Sequence, residues 1–160
     1  MTEGRYRPNI DNIFVSDIFD RITALINYGN ASRNRTLSFV EPETPIILEV
    51  DATLLVRVIV NMVRNALEAV PKGSTIQIKF RDSPESHRFE VTNPGEMSPE
   101  VIPRVFEKHF STKRGNGRGI GTWGMRLFGE RYLGGKVDCH ITSGATTFYI
   151  ALPKKPRRYD

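Results

Sequence analysis

The chain has 160 residues, enough for one domain with a full hydrophobic core. Hydrophobic residues make up 39% and charged residues 26%, and no stretch approaches the ~18 consecutive apolar residues of a membrane helix, so a soluble globular class is expected. A single cysteine excludes an internal disulfide and suits a cytosolic fold, while the net charge of +5 fits either a phosphate-bearing partner or a plainly basic surface.

Residues 1–15 read as a linker or the cut end of an upstream helical domain, polar and without the apolar core of a signal peptide. From Ser16 to about Ala31, the residues Ile18, Phe19, Ile22, Leu25 and Ile26 fall at helical spacing. Strands are expected at Thr36–Val40 and Ile46–Val50, with Pro42 and Pro45 in the turn between them. Asp51 is an N-cap for a long helix running to about Val70, which Pro71-Lys72-Gly73 ends. Thr75–Phe80 and Arg88–Thr92 read as a strand pair. Ser98-Pro99-Glu100 opens a short helix, with serine as cap and proline at the first position. A glycine-rich loop at Arg114–Gly121 precedes a helix to about Tyr132. Lys136–Thr142 and Thr146–Leu152 form a last hairpin, and residues 154–160 are a basic tail.

This order predicts an α+β fold for residues 16–153: a two-layer sandwich in which helices cover one face of a mixed, mostly antiparallel sheet.

Two segments carry chemistry. Along the long helix the polar residues apart from Thr53, namely Arg57, Asn61, Arg64, Asn65 and Glu68, fall at offsets 0, 4, 7, 8 and 11, a single stripe on a mostly apolar cylinder. A merely wetted edge would favour glutamate, lysine or glutamine, because asparagine is a mediocre helix former. Two carboxamides one turn apart offer hard, neutral oxygens suited to magnesium. In Gly115-Asn116-Gly117-Arg118-Gly119-Ile120-Gly121, alternating glycines free backbone N–H groups to approach phosphates at a helix N-terminus, with Lys113, Arg114 and Arg118 as nearby charges. No Gly-Lys-Ser/Thr closes a P-loop there. Thr92-Asn93-Pro94-Gly95 adds a polar strand end followed by a rigid turn.

Taken together, Asn61-Met-Val-Arg-Asn65, Asn93-Pro-Gly95, Val105-Phe106…Phe110-Ser-Thr-Lys113, Gly115-Asn-Gly117-Arg-Gly119 and Gly144-Ala-Thr146-Thr147-Phe148 resemble, in order and spacing, the catalytic domain of sensor histidine kinases. That domain belongs to the superfamily shared with DNA gyrase and MutL-type ATPases. The resemblance implies a Bergerat ATP-binding fold and an ATP-dependent phosphotransferase that uses Mg2+.

It also implies the roles. Asn65, with Asn61 beside it, would hold magnesium. Asn93 would face the adenine amino group, Gly95 would let the base lie close, and Thr146 would support it. Gly115, Gly117 and Gly119 would wrap the phosphates, and Lys113 would be a lid charge at the terminal phosphates. Phe106 and Phe110 would either anchor the lid or simply pack in the core.

Two departures stand out: the family usually has aspartate in the place of Asn93, and often a glycine in the place of Met97. Acceptance by an uncharged amide predicts weaker or retuned nucleotide binding, by about 1–2 kcal/mol.

The implied acceptor is a histidine on a separate dimerisation domain of a homodimeric parent, for relay to a response regulator. His87, His109 and His140 do not occupy such a position. No nucleic-acid partner is expected. The superfamily's hydrolases resemble one another in a glutamate general base where this chain has Asn61, and an amide cannot take a proton from water. A nucleotide-holding module without transfer, or a serine kinase acting as an anti-sigma factor, remains an alternative.

Overall fold

The computed structural model describes residues 6–28, 34–107 and 118–156. Chain order is β1 (Asp11–Phe14), α1 (Val15–Tyr28), β2 (Thr36–Val40), β3 (Ile47–Val50), α2 (Ala52–Ala69), β4 (Thr75–Asp82), β5 (Ser86–Pro94), a 3-10 turn (Ile102–Arg104), α3 (Arg118–Arg126), a π-helical stretch (Leu127–Tyr132), β6 (Lys136–Thr142) and β7 (Ala145–Pro153). The five-stranded sheet has the order β2-β4-β5-β7-β6. Its β2–β4 pair is parallel and the other pairs are antiparallel. The α+β class expected from the sequence is therefore the one observed.

Period-two alternation builds the core side of the sheet. Cross-strand register sets Ile78, Val91, Phe148 and Cys139 in one row and Phe80, Phe89, Ile150 and Val137 in the next. All eight are buried. The α2 helix packs on β4, β5 and β7 and also touches α1 and α3. Eleven of its residues, including Leu55, Val58, Ile59, Met62 and Val63, are buried, so its apolar majority is the centre of the core.

Both ends of α2 are tied down. The Asp51 carboxylate accepts from the Leu54 N–H at 3.0 Å, as an N-cap should. At the other end the Arg35 guanidinium donates to the Val70 carbonyl from Nε (3.2 Å) and from a terminal nitrogen (3.0 Å), next to the negative end of the helix dipole.

The structure departs from the sequence expectations in four places. Residues 11–14, read as part of a linker, form a strand paired with β3. The β2 and β3 strands do not pair with each other: β2 joins the main sheet beside β4, and β3 makes the separate two-stranded ribbon. Pro42 and Pro45 lie in the connection between them, and neither has the N–H that a continued ladder needs.

The helix expected after Ser98 is only a 3-10 turn, and the Ser98 hydroxyl donates to Glu100 (2.6 Å) instead of capping it. The helix expected to run to Tyr132 changes to π geometry at Leu127, with Leu133 N–H donating to the Phe128 carbonyl five residues back (2.9 Å). Gly129 lies against β6 and β7 there; a Cβ on it would stand 2.3 Å from Val137 Cγ2. The bare backbone lets the wide turn lie flat on the sheet.

Candidate functional site: a polar corner at the end of β5 and a carboxamide stripe on α2

The inward row of β5 ends on a polar residue. Asn93 pairs with Thr146 of β7, and the two are 5% and 4% exposed. Buried polar groups demand partners, and here they are supplied locally. The Asn93 amide donates from Nδ2 to the Pro94 carbonyl at 2.8 Å. The Thr146 hydroxyl donates to the Gly95 carbonyl (2.8 Å) and accepts from the Met97 N–H (3.0 Å).

Gly95 N–H donates to the Gly144 carbonyl (2.7 Å), and Gly144 N–H to the Glu96 carboxylate (3.1 Å). One threonine and two glycines thus lock the 95–97 turn against the β6–β7 turn. Gly95 has φ +98 and open space where a Cβ would stand, so glycine is required there by backbone conformation and not by crowding.

On α2, Asn61 and Asn65 are half-buried, while Arg57, Arg64 and Glu68 of the same stripe are exposed. Neither carboxamide has a hydrogen-bond partner among the described residues. A half-buried amide without a partner among these residues can serve a ligand. Arg57 lies 5.0 Å above the Phe128 ring and Phe128 stacks on Tyr132 (5.8 Å), which joins the stripe to the π-helical stretch.

Of the phosphate-facing set, Gly119 lies in the first turn of α3. Lys113, Gly115 and Gly117, with Phe110, fall outside the described residues. Phe106 is 7% exposed, edge-on to Phe148 at 5.9 Å and covered by the Arg126 guanidinium at 4.1 Å. It is a core residue, and Arg126 connects it to the end of α3. Met97 packs against the hydrophobic core through its side chain. Strand register thus sets Asn93 beside Thr146 and a hydrogen bond ties Thr146 to Gly95, while Asn61 and Asn65 sit on a helix that packs on β5.

Sequence reasoning missed the partners outside these motifs. Glu96 and Arg126 carry no signal in local spacing. Tyr6, whose hydroxyl donates to Asp51 at 2.5 Å, lies 45 residues away in a segment that reads as polar linker. Among the described residues no group of three His, Cys, Asp or Glu side chains could hold a metal ion.

Comparison with known proteins bears on the family and the fold. The chain is 30% identical over 132 residues to the sensor protein KdpD of Clostridium acetobutylicum, a match that covers 77% of this chain and 14% of KdpD. It is 30% identical over 154 residues to the sensor-like histidine kinase SenX3 of Mycobacterium tuberculosis, covering 91% of this chain and 37% of SenX3. The chain thus spans well under half the length of these relatives.

The catalytic domain of histidine kinase ThkA superposes with a TM-score of 0.80 at 23% identity, covering 93% of this chain and 99% of that domain. ThkA in complex with the response regulator protein TrrA matches with a TM-score of 0.75 at 24% identity, over 91% of this chain and 42% of that one. These two likenesses show a shared fold. The family model described as histidine kinase-, DNA gyrase B- and HSP90-like ATPase matches residues 50–156, which contain α2, the Asn93–Thr146 corner and the glycine segment, and the chain belongs to that family.

Proposed function

We propose that this chain is the catalytic part of a two-component sensor histidine kinase, moving the ATP γ-phosphoryl group to a histidine on a separate helical dimerisation domain. The observation that carries the proposal is the pair of carboxamides on α2 that have no hydrogen-bond partner among the described residues, on a helix packed on the strand that ends in the Asn93–Thr146 corner. KdpD and SenX3 are sensor proteins by name, and ThkA binds a response regulator. A response regulator, a homodimeric parent and a cytoplasmic location follow as parts of the same proposal. No helix among the described residues is long and apolar enough to cross a membrane.

Asn65 and Asn61 would hold magnesium through their amide oxygens, a donor set that suits an ion arriving with phosphate oxygens. Magnesium, when bound, neutralises phosphate charge in a reaction that depends mostly on positioning and electrostatics. Asn93 would accept from the adenine amino group, while Thr146 and Gly95 hold the turn beneath the base. Gly115, Gly117 and Gly119 would turn backbone N–H groups to the phosphates, with Lys113 as the charge at the transferred group. Asn61 offers no carboxylate to activate water, which favours transfer to an acceptor over hydrolysis.

The test mixes the chain with ATP, magnesium and a helical domain carrying an acceptor histidine. Acid-labile phosphate on that domain, absent when its histidine is replaced, is the expected result. Rapid release of free phosphate by the chain alone would point to a hydrolase instead.

A further inference from the structure

We propose, on the assignment of Gly115, Gly117 and Gly119 to the phosphates, that Arg126 is a positioning residue for that end of the site. Its one guanidinium holds the chain on both sides of the glycine-bearing segment.

The far side of that segment is α3, which starts at Arg118 and carries Arg126 at its end. The helix lies against β6, which is an edge strand. One side of the β6 backbone therefore has no neighbouring strand among the described residues. At Val137 side chains take the place of a strand. The Arg126 guanidinium donates to the Val137 carbonyl (3.2 Å), and the Val137 N–H donates to the Glu130 carboxylate (3.3 Å). Residues 126 and 130 share one helix face, so the pair grips both backbone groups of one residue. Beside them the Gly135 N–H donates to the Gly129 carbonyl (2.8 Å).

The near side is Phe106. The Arg126 guanidinium lies 4.1 Å from the centre of its ring, and the ring meets Phe148 edge-on at 5.9 Å. Lys113, Gly115 and Gly117 fall between Phe106 and α3 in the sequence. A segment fixed at both ends has less freedom to lose when it orders around phosphates.

Magnitudes favour this role over simple surface charge. Glu130 and Asp138 stand 3.6 and 3.8 Å from the guanidinium with side chains 40% and 41% exposed, so those ion pairs contribute little. The ring contact and the carbonyl bond remain. Cover for Phe106 alone would need no guanidinium. The Arg126 Nε is buried without a hydrogen-bond acceptor among the described residues, a cost that an aliphatic side chain would not carry. Lysine lacks the planar fork that reaches the ring and the Val137 carbonyl together.

The experiment is calorimetric titration of the full chain with ADP and magnesium, with folding followed by circular dichroism. It compares the wild type, Arg126→Met, Phe106→Leu and the double variant. Arg126→Met keeps the aliphatic bulk and is expected to weaken ADP binding about tenfold. Phe106→Leu is expected to lose about as much, and the double variant no more than either, because the two residues act as one unit. Hydrogen exchange supplies a measurement on the wild type alone. Coupling is reciprocal, so ADP should slow the Val137 and Gly135 amides more than those of β2, at the opposite edge of the sheet.

ADP affinity within about twofold of the wild type in folded Arg126→Met overturns the proposal. Losses that add in the double variant overturn it too. Equal slowing across the sheet, or none at Val137 and Gly135, does so even where no variant folds. In each of these cases the wild type still binds ADP, and the assignment of the glycines to phosphate stands. A wild type that does not bind ADP with magnesium fails that assignment first, and the proposal with it.

Discussion

The Tyr6 hydroxyl donates to the Asp51 carboxylate at 2.5 Å, joining the start of the described chain to the first turn of α2. The same carboxylate oxygen accepts from the Asn9 N–H (2.9 Å), and the other caps Leu54. Asp51 is 2% exposed, so three donors from two chain segments replace its water. The Tyr6 ring also rests on Tyr132 at 5.4 Å.

Tyr6→Phe removes the donor and keeps the ring. Hydrogen bonds to charged groups contribute about 1.5–3 kcal/mol, and exposure of Tyr6 brings the expected loss down to about 1 kcal/mol, read by urea unfolding. The hydrogen bond to Asp51, burial and the carboxylate charge push the Tyr6 phenol up to about 12. A phenol raised above its unfolded value of 10 contributes stability that is complete below pH 10 and lost as pH rises through the folded value. Ultraviolet titration should show one tyrosine ionising late, and that step should vanish in Tyr6→Phe.

His87 gives the opposite behaviour. It is 9% exposed, packs on Phe80, and its Nδ1 lies 2.9 Å from Asp82, which Lys154 also contacts. Burial first, then the Lys154 charge, hold its imidazole below the ordinary value of 6.5 against the pull of Asp82. The unfolded chain therefore binds the proton first, so this stability is present above pH 6.5 and is lost as pH falls below it. The melting temperature should drop as pH is lowered through this range, and His87→Phe should flatten that slope. An unchanged slope in the variant would remove His87 from the explanation.

Thr146→Val keeps shape and deletes the hydroxyl. The Met97 N–H and Gly95 carbonyl then both lose their partner. Gly95 is exposed and Met97 half-buried, so the freed groups are open to water and the expected loss is that of the hydrogen bonds themselves, about 1 kcal/mol in stability. Weaker ADP binding should accompany it, because the 95–97 turn is no longer fixed. Loss of stability with ADP affinity intact would make Thr146 purely structural.

Much of the fold was legible where a single element states its own physics. The α2 stripe is visible because nearly all the remaining positions of the helix are apolar, and Asp51 because capping is local. The Asn93 and Thr146 motifs were legible as types, and the structure adds that they face one another in register. Pairing between distant segments was not legible. Nothing in Asp11–Phe14 announces β3 as its partner, and nothing in Thr36–Val40 says that it lies parallel to β4 across an intervening helix. The π-helical stretch is set by how Gly129 meets Val137, a contact that helical periodicity does not encode. Tyr6 and Arg126 escaped for the same reason, since each matters through a residue far away in sequence.

The most direct test of the proposed site is ADP titration with and without magnesium, in the wild type and in Asn65→Ala. Asn65 is half-exposed on a well-packed helix and alanine is the better helix former, so the variant should fold. The wild type should gain affinity with magnesium, and Asn65→Ala should lose most of that gain, on the order of tenfold, while metal-free binding stays within about twofold. Magnesium-dependent binding that survives intact in Asn65→Ala would contradict the assignment of this carboxamide to the metal.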